Sequence, residues 1–151
     1  LTDAEWEYVA RDGTDTARPW AGGRAAACGF ANVTDLDTAA RLAIDADDPG
    51  THVFPCRDGF ALTAPVGSFP ANGFGVHDIL GNAWEWVEGC MTVAAEDGSV
   101  TENCDERLIR GGAWQADAWY VRPAKRDWAP YWLRSGRVGL RVARDISAPS
   151  N

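Results

Sequence analysis

A chain of 151 residues with 22 acidic and 14 basic side chains, formally −8, is long enough for one buried core and too acidic to be a generic nucleic-acid binder, which needs a basic footprint. Eight tryptophans and sixteen glycines describe short elements joined by many turns rather than long helices, and no apolar run is long enough to span a bilayer. The charge is uneven: residues 1–106 hold 5 Lys+Arg against 19 Asp+Glu, whereas residues 107–144 hold 9 against 2. Either the basic segment builds an anionic-ligand site or its arginines pair with carboxylates of the acidic body.

In chain order, Thr2-Asp3-Ala4-Glu5 is a capping box with Leu1 and Trp6 as its hydrophobic staple, which predicts a helix over 3–11 that buries Trp6, Val9 and Ala10 and stops near Gly13. Residues 14–29 read as irregular chain. The acidic run 45–50 reads as an exposed loop, because Pro49 occupies a ligand position of what would otherwise be an EF-hand. Asn32-Val33-Thr34 is a chance-level glycosylation sequon. Residues 60–69 contain a short strand-like piece broken by Pro65, and Pro70–Gly73 is turn chemistry.

The richest stretch is Gly73–Val87. Gly81-Asn82 is a turn dipeptide that reaches positive φ at low cost, and the following Ala83–Val87 alternates so that Trp84 and Trp86 share one face and Glu85 points away. Asp78 and Glu85 flank the turn carbonyls in an oxygen-rich setting suited to calcium; the alternative is a pair of solvated carboxylates. Residues 91–105 are polar and read as an exposed loop. Residues 108–114 read as a strand with a glycine bulge, and 138–143 as the last strand. One domain over 1–145 and a loose tail over 146–151 result, with an α+β fold containing much irregular structure.

Four cysteines allow three pairings, of which Cys28–Cys56 with Cys90–Cys104 is the most parsimonious; four reduced thiols are the alternative. Disulfides would place the protein in an oxidising compartment: periplasm, secreted or cell surface. His52 and His77 read as structural imidazoles. Between 119 and 137 lie Trp119, Tyr120, Arg122, Lys125, Asp127, Trp128, Tyr131, Trp132, Arg134 and Arg137, with no clean period. Such aromatic and arginine side chains either form a ligand-binding surface or fill the core of a loop-rich fold.

GFGVHDILGNAWEWV at 73–87 resembles the GLYDMxGNVWEW signature of formylglycine-generating-enzyme (sulfatase-modifying-factor) domains. Leu1–Tyr8 resembles LPTEAEWEYA, Arg110–Trp114 resembles RGGSW, and Gly139–Ala143 resembles GFRVA, all in the family's order. The resemblance covers the central and C-terminal part of the family domain. It implies a bacterial protein with a C-type-lectin-like fold whose loops are held by calcium and disulfides, and it leaves a place for a partner chain supplying the missing N-terminal part. It also implies one structural calcium on the side chains of Asn32 and Asp58 and the carbonyls of Val33 and Phe60, drawing Cys28 to Cys56. A second is implied on the side chains of Asp78 and Glu85 and the carbonyls of Gly81 and Ala83.

The catalytic members of this family hold copper on two cysteines. Aligning Arg122-Pro123-Ala124-Lys125-Arg126 on the family's RCAAR puts Ala118 and Pro123 at those positions, and no Cys follows Cys104, so no copper is expected. Two histidines cannot supply the triad of the iron-dependent branch. The expectation is therefore a non-catalytic domain binding a protein or small-molecule ligand, in the manner of the related variable proteins diversified by retroelements. The alternative is an oxidoreductase completed by another chain or domain.

Overall fold

The computed structural model describes residues 1–144; the expected tail at 146–151 lies outside the described residues. Helix α1 spans Asp3–Arg11. Thr2 Oγ1 accepts from the Glu5 amide at 3.3 Å and Glu5 returns the bond by accepting from the Thr2 amide at 2.9 Å, so both orphan donors are satisfied. Asp12 in the left-handed region, just before Gly13, ends the helix. Trp6 and Ala10 are fully buried and carry α1 onto the sheet.

The irregular segment that follows contains a 3-10 helix, Gly23–Gly29, and a short helix α2, Leu36–Leu42, neither of which the sequence pattern predicts. Asp35 starts α2 by accepting from the amides of Asp37 and Thr38, both at 2.9 Å. Residues 45–50 form exposed turns, as read. A disulfide joins Cys28 to Cys56, with Cα atoms 5.9 Å apart, and fastens the chain leaving the 3-10 helix to the loop after α2.

No strand forms at 60–69. The reason is local: the Asn82 side chain takes the place of a neighbouring strand, its Oδ1 accepting from the Ala64 amide at 2.9 Å and its Nδ2 donating to the Ala64 carbonyl at 3.2 Å. The turn expected at Pro70–Gly73 falls two residues later, at 72–75, where the Gly75 amide bonds to the Asn72 carbonyl at 2.9 Å.

Four strands make one sheet in the order β3-β2-β1-β4: β1 Trp84–Ala94, β2 Val100–Arg110, β3 Arg126–Pro130 and β4 Val138–Leu140. β1, β2 and β3 are antiparallel neighbours, and β4 runs parallel to β1. The expected loop at 91–105 is instead a two-stranded ribbon, Met91 opposite Asn103 and Ala94 opposite Val100. Most of its side chains on both faces meet solvent, so the half-buried alternation that marks a strand is absent from its sequence. The Cys90–Cys104 disulfide ties the two strands together.

The glycine bulge expected within 108–114 is a strand end. Gly111, at φ +99°, turns the chain out of β2 where a Cβ would stand 2.9 Å from the Ile79 carbonyl oxygen. The last strand is shorter than 138–143. Trp84 is buried and Trp86 packs partly against the core, as the alternation requires, but Glu85 is only 6% exposed, so both faces of β1 are covered at this point. Among the described residues no helix is long and apolar enough to cross a membrane.

Candidate functional site

The core positions the site through an ion network. Arg110, fully buried at the end of β2, lies with its guanidinium carbon 4.9 Å from the centroid of the Trp6 ring and pairs with Asp3 at 2.8 Å and Glu7 at 2.5 Å on α1. It also donates to the Lys125 carbonyl at 2.7 Å, anchoring the loop that returns to β3. Arg126 pairs with Asp3 at 2.8 Å. Arg141 donates through Nε to both Glu85 oxygens at 3.0 Å. Of the two readings of the basic segment, pairing with the acidic body accounts for these three arginines.

Beyond Arg110, the loop 111–125 and the starts of β3 and β4 enclose a cleft of about 330 Å³ lined by Trp84, Gln115, Asp117, Tyr120, Asp127 and Arg137, with Ala113 and Ala116. Tyr120 meets the Trp84 ring edge-on at 6.2 Å between centroids. Asp117 accepts from the Trp119 amide at 2.7 Å through Oδ1, and its Oδ2 lies 3.0 Å from His52 Nδ1. Asp127 Oδ1 accepts from the Trp128 amide at 3.0 Å, while its Oδ2 stands 3.9 Å from Lys125 Nζ. That ammonium sits 4.6 Å from the Tyr120 ring centroid.

The ten residues expected to form a binding surface therefore divide. Tyr120, Asp127 and Arg137 line the cleft. Trp119 is 65% exposed and stacks under the Arg122 guanidinium at 4.1 Å. Tyr131 and Trp132 are exposed against each other in the turn just beyond the end of β3, where the Tyr131 amide bonds to the Asp105 carbonyl, and Arg134 is exposed in the loop that follows. Trp128 packs partly against the core and so follows the core-filling alternative. Trp84, Gln115, Asp117 and His52 were missed. Trp84 reads as core from its alternation, and nothing local relates His52 to a residue 65 positions away. Ala118 and Pro123, the two positions that the resemblance sets against the copper cysteines, are buried, and all four cysteines are in disulfides.

The oxygen-rich groups expected to hold calcium are Asn32 with Asp58 and Asp78 with Glu85. Asn32 is fully buried, with Nδ2 donating to the Leu62 carbonyl at 2.8 Å and Oδ1 left without a partner, and the same burial closes the sequon. Asp58 accepts from the amides of Val33 at 2.9 Å and Phe60 at 2.8 Å. Burial pushes the Asp58 carboxyl up to about 6, against the pull of those amides and with a further rise from Asp35 and Asp37. In the second group, Asp78 Oδ2 accepts from the Gly67 amide at 2.5 Å, and Asp78 Oδ1 is buried without a partner. Gly81 and Ala83 bracket the turn, but Glu85 is already held by Arg141 and by the Trp6 indole N–H at 2.8 Å.

The model of the family described as the sulfatase-modifying factor enzyme 1-like domain matches residues 1–146. The chain belongs to this family. It is 39% identical over 155 residues to the formylglycine-generating enzyme of Bos taurus, covering 95% of this chain and 38% of that protein. It is 31% identical over 119 residues to the inactive C-alpha-formylglycine-generating enzyme 2 of Mus musculus, covering 75% of this chain and 30% of that one. Among solved structures, PvdO from Pseudomonas aeruginosa superposes with a TM-score of 0.66 at 32% identity, over 93% of this chain and 49% of that one. Treponema denticola variable protein 1 shares the fold, with a TM-score of 0.66 at 22% identity over 92% of this chain and 44% of that one. The chain thus spans less than half the length of each of these relatives.

Proposed function

We propose that this is a binding domain of the family that does not perform copper chemistry, and that its ligand enters the cleft between Trp84, Tyr120, Asp127 and Arg137. The reading rests on that cleft and on buried Ala118 and Pro123, which the alignment on the family's motif sets at the positions of the copper thiolates. Alanine and proline offer no soft ligand for Cu(I), and a disulfide sulfur is not a thiolate. A relative described as inactive and a variable protein of the same fold are consistent with a family scaffold that also serves non-catalytic roles. The two disulfides fit a periplasmic, secreted or cell-surface location. The test is turnover: with Cu(I), oxygen and a cysteine-containing peptide, mass spectrometry is expected to return the peptide unchanged, and an aldehyde product would restore the oxidoreductase reading.

Calcium belongs to the same proposal as a structural ion. The first group fits it: Asn32 Oδ1 is a buried carbonyl oxygen lacking a donor, and Asp58 is a half-buried carboxyl raised by burial and by Asp35 and Asp37, a cost that a bound cation would offset. Val33 and Phe60 would add carbonyls. The second group fits less well. Asp78 Oδ1 awaits a partner, but Arg141 already gives Glu85 its positive charge.

The pH dependence follows with its sign. A folded value of about 6 against 3.8 for the free side chain means that the metal-free native state binds more protons than the unfolded chain across that window, so its stability falls as pH rises from about 4 through 6. Calcium would compete with that proton. The rise in Tm on adding calcium is therefore expected to be larger at pH 7.5 than at pH 5, and Asp58→Asn is expected to remove more of it than Glu85→Gln. Melts that do not respond to calcium or chelator at either pH would contradict both the ion and its placement.

A further inference from the structure

Resting on the cleft reading above, we infer that the group recognised is a carboxylate with a neighbouring N–H donor, the chemistry shared by a free α-amino acid and the C-terminal residue of a peptide. Arg137 carries the cationic half. It is the basic residue of the lining, its side chain is exposed, and among the described residues it pairs with no carboxylate, whereas Arg110, Arg126 and Arg141 are engaged with Asp3, Glu7 and Glu85. An unpaired guanidinium at a cleft wall matches the two oxygens of a carboxylate.

The donor half is read by Asp127. Of the two carboxylates in the lining, Asp117 has both oxygens occupied, by the Trp119 amide and by His52. Asp127 has one oxygen on the Trp128 amide and the other 3.9 Å from Lys125, beyond hydrogen-bond reach, so Oδ2 keeps acceptor capacity for a ligand N–H. Trp84 and Tyr120, edge to face, supply the aromatic part of the lining for the ligand's side chain. A volume of about 330 Å³ is at the lower end for a small-molecule site and suits one residue rather than a long segment.

The test uses the whole chain in calcium-containing buffer, with the Trp84 indole N–H resonance and calorimetry as readouts. The probes are phenylalanine, phenylalaninamide, 3-phenylpropionate, the tripeptide Gly-Gly-Phe and inorganic phosphate. The free carboxylates of phenylalanine and Gly-Gly-Phe are expected to bind roughly tenfold or more tightly than the amide, as loss of a charge-assisted bidentate pair requires. Whichever of those two is tighter identifies the source, free amino acid or chain terminus. Arg137→Gln, exposed and confirmed folded by its melt, should bring phenylalanine down to the amide's level and leave the amide unchanged. Asp127→Asn should weaken phenylalanine and spare 3-phenylpropionate, which has no N–H. Equal binding of acid and amide, phosphate binding tighter than any carboxylate, or no shift at Trp84 with any probe would each overturn the inference. Equal binding of acid and amide leaves the broader cleft reading in place, which fails separately if the peptide cysteine is oxidised.

Discussion

Gly81→Ala is expected to leave little folded protein. A Cβ at Gly81 would lie 2.2 Å from the Asn32 carbonyl oxygen and 3.1 Å from its carbon, at a φ of +78°. Neither side can yield, because the Asn82 amide bonds that same oxygen at 2.8 Å and the Gly81 amide bonds the Gly111 carbonyl at 3.0 Å. Overpacking against buried backbone, with about 1 kcal/mol more for a left-handed non-glycine residue, sums to roughly 3–5 kcal/mol, a large share of a domain's total. Gly98→Ala is the control. It has a similar φ of +81° at the tip of the β1–β2 ribbon with nothing within 4 Å of the added Cβ, so it should cost only about 1 kcal/mol in urea unfolding. Equal costs at the two sites would mean that the turn does not sit against Asn32.

Arg110→Met should be the second severe change. The substitution keeps much of the apolar contact with Trp6 but removes the cation that Asp3 and Glu7 share, and it leaves the Lys125 carbonyl without its donor. Burial raises the Glu7 carboxyl, and Arg11 and Arg110 outweigh it and hold it below its usual range. Breaking a buried pair by deleting one partner costs about 3–5 kcal/mol, whereas replacing the whole set by well-packed hydrophobic residues of similar volume is often neutral. The triple change Asp3→Leu, Glu7→Met, Arg110→Met is thus expected to recover part of the loss, measured as the urea midpoint, less what the partly exposed Arg126–Asp3 and Arg11–Glu7 pairs contribute. A triple variant no better than Arg110→Met would show that packing of the side chain, rather than its charge, holds α1 to β2.

What could be read from the chain depended on how local its cause was. Helix α1 was legible because the capping box is written in four consecutive residues, and the central turn because Gly81-Asn82 tolerates positive φ without help from elsewhere. Both disulfides follow the most parsimonious pairing. By contrast, α2 is seven residues long with no periodic face and depends on the Asp35 cap, and β3 exists only because residues 106–110 pair with it. The ribbon at 91–105 lacks a buried face and so lacks the pattern that announces one. The cleft was half legible: the aromatic and arginine composition of 119–137 pointed to it, but the floor residue Trp84 and the Asp117–His52 contact are products of chain folding over tens of residues.

The most direct test of the central claim, that this family member binds without copper, is a Cu(I) competition titration of the whole, disulfide-intact chain against a chromophoric chelator. The account predicts that the chelator keeps the metal at every protein concentration, because the proposed alignment sets Ala118 and Pro123 at the thiolate positions and the four cysteines form the pairs Cys28–Cys56 and Cys90–Cys104. Transfer of one copper per chain to the protein would contradict it.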